Sequence, residues 1–257
     1  MKVVVFAGGK GTRISEESHL RPKPMIEVGG KPILWHIMKQ YAHWGHNEFI
    51  ICLGYKGYMI KEYFLNYFTH NSDVTVDLSN NQVEVHQTNA ENIKVTLVDT
   101  GLETMTAGRL KRVQSYVGNE EFMLTYGDGV CDINMDDQLA FHRSHNRYAT
   151  MSIVQPGSRF GIIDLDENDM VNEFIEKPKE DGAWINGGFF ILKPEVFNYL
   201  PDNSDDIMWE RFPLEGLTKD NQLAAYRHHG FWKCMDTLRD NQDLNTMWDS
   251  DPKWKCW

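Results

Sequence analysis

The chain has 257 residues, 41% of them hydrophobic, which is enough to bury one large α/β core. A net charge of −11 argues against a nucleic-acid partner, and no run of about 18 apolar residues offers a membrane span. The four cysteines, Cys52, Cys131, Cys234 and Cys256, are too scattered for a zinc knuckle or a redox pair, which points to reduced thiols and a cytoplasmic setting.

Lys2–Phe6 is a short, β-branched apolar run that predicts a buried strand, and its early start leaves no room for a secretory leader. Pro32–His43 predicts a helix: Ile33, Leu34, Ile37, Met38 and Tyr41 form one stripe, Pro32 suits the first turn and Gly45 ends it. Phe49–Leu53 reads as the next strand and Gly57–Phe68 as the next helix. That β-α-β-α order predicts a parallel sheet covered on both faces. Val74–Leu78 and Val83–His86 flank Asn80-Asn81 as a hairpin. Strand Lys94–Val98, helix Ala107–Val117 and strand Glu121–Tyr126 follow, the last running into Tyr-Gly-Asp-Gly. The second half predicts helices at Asp137–His145, Pro194–Leu200, near Ile207–Leu217 and at Thr237–Trp248. Its strands are Thr150–Val154, Trp184–Leu192 and Leu223–His228, with a hairpin of Ile162–Asp166 and Val171–Phe174. The expected fold is α/β, a mixed and mainly parallel Rossmann-like sheet flanked by helices with antiparallel additions, in a single domain over 1–257.

The loop after the first strand carries the chemistry. In open α/β sheets ligands bind beyond the carboxyl ends of strands, where Gly8–Arg13 falls. Glycines let successive backbone N–H groups approach a phosphate, and Arg13 adds a planar fork of donors. The Walker pattern is absent, because Pro32 follows Gly30-Lys31. The dinucleotide pattern fails at Ile14. A glycine-rich turn with a solvent-facing arginine is the plain alternative. Pro22 and Pro24 restrict the backbone around Lys23 and help to aim its ammonium. Asp128 suits either a turn or a metal site, and Asp236 either a helix cap before Thr237 or a metal site. His142 and His145 stand three apart on a helix with no third ligand nearby, which favours a surface face. Arg109, Lys111 and Arg112 could be a solvated basic face or part of a nucleotide site.

Taken together, "GGKGTRI…RPKPM" resembles the G-G-x-G-T-R-[LM]…P-K-P-[ML] signature of the sugar-1-phosphate nucleotidylyltransferases. The resemblance continues through "KPILWHIM", "GYKGYMIKEYF", "VDTG", "GRLKRV", "TYGDGV", "EKPK", "INGGFF" and "FWKCMDTLRD", essentially the whole chain. Lys10 stands where leucine is frequent in that family, a small departure in a loop that works through its backbone.

The resemblance implies a nucleotide-binding half, 1–130, and a sugar-binding half, 131–257. It implies transfer of a cytidylyl group from CTP to glucose 1-phosphate, with Mg²⁺ on Asp128 and Asp236. By the same likeness Phe6, Ala7, Gly8, Gly9, Lys10, Gly11, Thr12, Arg13, Lys23, Thr104, Arg109 and Gly127 bind the nucleotide, with Arg13 and Lys23 drawing charge toward the leaving pyrophosphate. Arg109 could serve the acceptors of cytosine. Glu176, Lys177, Asn186 and Gly187 are implied for the sugar phosphate. The family is oligomeric, so a homo-oligomer is expected, its eight Trp and ten Tyr candidates for subunit contacts. A catalytically silent sugar-nucleotide sensor, or an enzyme for another base or sugar, are the competing expectations.

Overall fold

The computed structural model describes residues 1–156, 162–165, 170–175 and 183–257. Seven strands build the central sheet: β1 Lys2–Ala7, β2 Glu48–Leu53, β3 Lys94–Asp99, β4 Phe122–Tyr126, β5 Ala149–Val154, β6 Ile185–Leu192 and β7 Leu223–His228. Their order across the sheet is β7-β5-β6-β4-β1-β2-β3. β6 pairs antiparallel with both neighbours and every other pairing is parallel. Six strands therefore end at one edge of the sheet, and β6 begins there.

Alternation along the strands divides the core in two. Val3, Val5 and Ala7 of β1 face one layer, with Ile33, Ile37 and Tyr41 of α1 (Ile33–His43), Ile60 of α2 (Gly57–Leu65) and, near the chain end, Leu244 and Trp254. Val4 and Phe6 face the other, with Ala107 and Leu110 of α3 (Thr106–Arg112), Trp209, and Leu214 and Leu217 of α5 (Phe212–Lys219). In chain order α4 (Met135–His145) falls between α3 and α5, and α6 (Leu238–Ser250) follows β7.

The predicted elements appear with shifted ends. The second helix stops at Leu65 and resumes as Tyr67–His70, and the helix over 107–117 breaks at Val113. The stretch near Ile207 becomes helical only at Phe212, where Pro213 fits the first turn. Two short ladders were not anticipated, Glu27–Val28 with Lys31–Pro32 and Gly129–Cys131 with Trp232–Cys234. His142 is not on a surface face. It is fully buried, and both it and His145 hydrogen-bond the Thr150 hydroxyl, at 2.7 and 2.9 Å. Of the eight Trp, Trp209 and Trp254 are buried in the core and the other six are partly buried. The exposed apolar residues are mostly elsewhere, including Val76, Leu78, Val83 and Val85 on the hairpin Ser72–Asp77/Gln82–Thr88. Among the described residues no helix is long and apolar enough to cross a membrane.

Candidate active site

β1 ends at the carboxyl edge and delivers the glycine loop into a cleft of about 320 Å³. The loop's shape has two local causes. Gly11 sits at φ +63°, where glycine is at ease, and a Cβ on Gly8 would lie 2.2 Å from Arg109 Nη1. Arg109 projects from α3, only 4% exposed. Its Nη1 donates to Leu53 O at 3.0 Å, Thr100 Oγ1 at 2.8 Å and Gly101 O at 2.8 Å, and its Nη2 donates to Gly8 O at 3.0 Å. One buried guanidinium thus pins the glycine loop to the ends of β2 and β3.

Across the cleft, Pro24 packs beside Gly127 of the Tyr-Gly-Asp-Gly turn, and the short 3₁₀ turn Lys23–Met25 turns the Lys23 side chain inward. Its ammonium donates to Asp128 Oδ2 at 2.5 Å and to Asp236 Oδ1 at 2.6 Å. Arg13 Nη1 donates to Asp236 Oδ2 at 2.7 Å from a side chain that is 73% exposed. The two aspartates meet because Gly129–Cys131 pairs antiparallel with Trp232–Cys234, and Met235 N donates to Asp128 O at 2.8 Å. Asp236 is not the helix cap that its position allowed. Thr237 caps α6 in a capping box with Asp240, which leaves the Asp236 carboxylate for the cleft.

Burial draws the Lys23 pKa down, but Asp128 and Asp236 more than offset it, so the ammonium is held above its ordinary value. Burial likewise raises the Asp236 pKa, and Lys23 and Arg13 outweigh it, keeping the carboxylate below its ordinary value. Cys234 is pushed up to about 12, first by burial and then by Asp236, so this thiol is no nucleophile.

A second cleft of about 310 Å³ opens on the same carboxylates. Arg13, Tyr126, Asp128, Met208 and Asp236 line both. Because β6 runs against its neighbours, its first residues, Asn186 and Gly187, stand at the carboxyl edge and line this cleft with Trp232 and Glu210.

The model of the nucleotidyl transferase family matches residues 2–244. The chain belongs to the nucleotidyl transferase family. It is 52% identical to the glucose-1-phosphate cytidylyltransferases of Salmonella typhi and Salmonella typhimurium, over 100% of this chain and 100% of each of theirs. Among solved structures, HddC from Yersinia pseudotuberculosis complexed with GMP-PN is 25% identical. It superposes with a TM-score of 0.67 over 96% of this chain and 99% of that one.

In this nucleotidyl transferase the nucleotide residues expected from the sequence line the first cleft, with the exception of Lys10. Lys10 stands outside it, its ammonium 2.8 Å from Glu103 in an exposed ion pair. Arg109 lines the cleft, but its guanidinium is committed to backbone carbonyls and would have to give them up to reach a base. Glu176 and Lys177 lie outside the described residues. Asn186 Oδ1 accepts from Gly188 N at 2.8 Å, leaving its amide toward Tyr126. Tyr126, Thr106, Met208, Glu210 and Trp232 were missed. Tyr126 had a signal, standing beside the Gly-Asp pair at a strand end, whereas Met208 and Glu210 fit no spacing motif. Asp128 and Asp236 already bracket a cationic group, with hard oxygens facing one point, and so fit a hard divalent cation completed by phosphate oxygens.

Proposed function

We propose that the protein transfers a cytidylyl group from CTP to α-D-glucose 1-phosphate, giving CDP-glucose and pyrophosphate. The observation that carries this reading is the meeting of two clefts at one carboxylate pair, in a chain 52% identical over its whole length to glucose-1-phosphate cytidylyltransferase. A phosphate oxygen of the sugar phosphate attacks the α-phosphorus of CTP in line and pyrophosphate leaves. The attacking oxygen is anionic near neutrality, since the second phosphate pKa is about 6, so no general base is needed. The work left to the protein is to align two polyanions and to stabilise the charge that gathers on the leaving group.

Backbone N–H groups of Gly8, Gly9, Gly11 and Thr12 hold the triphosphate in the first cleft, and Lys10 reaches it once released from Glu103. Lys23 and Arg13 move from the aspartates to the outer phosphates and neutralise the departing pyrophosphate. Arg109 holds the loop in its binding shape, with Thr104 and Gly127 beside the base. In the second cleft Asn186 and Gly187 face the hexose, and Glu176 and Lys177 are its further ligands. Nucleotidyl transferases of this family generally use a divalent metal. We assign Mg²⁺, held by Asp128 and Asp236, which when bound neutralises phosphate charge as a Lewis acid. The nucleotide half is 1–130 and the sugar half 131–257. The exposed valines of the hairpin support a homo-oligomer. The same reading assigns the protein to the cytoplasm, its product serving surface-polysaccharide (O-antigen) synthesis.

The test is pyrophosphate release with glucose 1-phosphate and Mg²⁺, comparing CTP, UTP, dTTP, ATP and GTP, with Asp128→Asn as control. Release with CTP that the variant loses is expected. Release with a different nucleotide would overturn the base assignment, and none with any nucleotide would overturn the transfer reaction.

A further inference from the structure

We propose that Glu210 is a specificity-determining residue that reads a hydroxyl of the hexose, an assignment resting on the sugar-phosphate reading of the second cleft. Its carboxylate lines that cleft beside Tyr126, Asn186, Gly187 and Trp232. Two donors grip it: the Tyr126 hydroxyl donates to Oε1, and Thr106 Oγ1 donates to Oε2 at 2.7 Å. The Thr106 hydroxyl accepts in turn from Trp209 N at 2.8 Å, and Trp209 is sealed in the core. Burial, then the Glu210 charge, raises the Tyr126 pKa well above its ordinary value, so this phenol stays a donor.

An ionised carboxylate offers about four lone-pair sites, and these two donors use half of them. Among the described residues no Lys or Arg pairs with Glu210. The remaining acceptor capacity borders a cleft whose nearby cation site has carboxylates of its own. A phosphate there would be repelled, and an apolar group would leave the carboxylate dry and unmatched. A hydroxyl satisfies it. Trp232 supplies a flat apolar wall, fixed because its Nε1 donates to Gly187 O at 2.7 Å. The brace also reaches the nucleotide side, since Thr106 and Tyr126 line the first cleft. A carboxylate so held is an immobile acceptor, and a site built to bond a hydroxyl discriminates strongly against an analogue that lacks it.

The experiment uses the wild-type protein and Glu210→Gln with CTP, Mg²⁺, glucose 1-phosphate and its 2-, 3-, 4- and 6-deoxy analogues. In the wild type, removal of at least one of these hydroxyls is expected to lower kcat/KM by roughly 10–100-fold. Glu210→Gln should raise the KM for glucose 1-phosphate by a similar factor, keep the KM for CTP within about twofold, and become insensitive to loss of that hydroxyl. A wild type that accepts every deoxy analogue equally would overturn the assignment without recourse to any variant. A variant with a raised CTP KM and an unchanged sugar KM would also overturn it, by showing that Glu210 acts only through Thr106 and Tyr126. No turnover of any hexose 1-phosphate by the wild type would overturn the transfer reaction and the assignment together.

Discussion

Replacing Lys23 by Met separates the two cationic duties of the site. The ammonium lies 2.5 Å from Asp128 and 2.6 Å from Asp236, with 11% of the side chain exposed. At an effective dielectric of about 20, one unit-charge contact near 4 Å is worth about 4 kcal/mol. Desolvation offsets much of this, and removing one partner of a buried pair costs about 3–5 kcal/mol. The carboxylates remain 27% and 18% exposed, so a loss of about 2–3 kcal/mol is expected, with a fall in Tm of roughly 5–10 °C. The variant also lacks the internal charge that competes for the carboxylate pair. Without nucleotide its Mn²⁺ affinity should therefore rise by at least about tenfold, equal to about 1.4 kcal/mol, and added Mn²⁺ should restore part of the lost Tm. The assay is titration of free Mn²⁺ by electron paramagnetic resonance, beside thermal unfolding with and without the metal. A Lys23→Met protein that binds Mn²⁺ no tighter than wild type, and melts within about 1 °C of it, would refute this account of the carboxylate pair.

Arg109→Lys keeps the charge but not the fork that joins Gly8, Leu53 and Gly101. Stability should fall by about 2–3 kcal/mol and the KM for CTP should rise, and a variant unchanged in both denaturant unfolding and CTP kinetics would contradict that role. His36 is fully buried, accepts from Trp254 Nε1 at 3.3 Å through Nδ1, and has its pKa lowered to about 4 by burial. An unfolded histidine takes up its proton near pH 6.5, so the unfolded chain binds more protons between about pH 6.5 and 4, and stability falls as pH drops through that window. The shift corresponds to about 3 kcal/mol, and His142 behaves likewise, so His36→Gln should flatten part of the slope in urea unfolding at several pH values. An identical slope in variant and wild type would refute it. Val76 and Val83 are cross-strand partners on the exposed hairpin, and Val76→Asp with Val83→Asp should lower the solution mass measured by light scattering. An unchanged mass would exclude this face from assembly.

The strands of the sheet were legible because β-branched apolar runs declare themselves, and β1, β2 and β4 appear within about a residue of expectation. Helix interruptions were not. Asn66 and Val113 break helices without a Pro or Gly to announce it, and at Asn66 the side-chain amide bonds Glu62 O at 2.8 Å. In the site, Gly8, Arg13 and Lys23 could be singled out because glycines and flanking prolines constrain the backbone locally. Spacing names Asp128 and Asp236 as candidates, and only the family resemblance joins them, since their meeting depends on a three-residue ladder too short to leave a pattern. Arg109 shows the opposite limit. Sequence marks a basic helix face, but only the packing of Gly8 and Gly54 against its guanidinium reveals a buried pin. Glu210 left no trace because a lone carboxylate acquires meaning only from what surrounds it.

The ladder that unites the two aspartates also governs when the site comes into being. Asp128, the glycine loop, Lys23 and Arg109 all precede the partner strand, Trp232–Cys234, in the order of synthesis. A growing chain can therefore form the β1–β4 layer, in which all pairs are parallel, and still lack a complete cation site. The two carboxylates come together only when Trp232–Cys234 adds to Gly129–Cys131, so the affinity of the pair for a cation should report whether that ladder has formed.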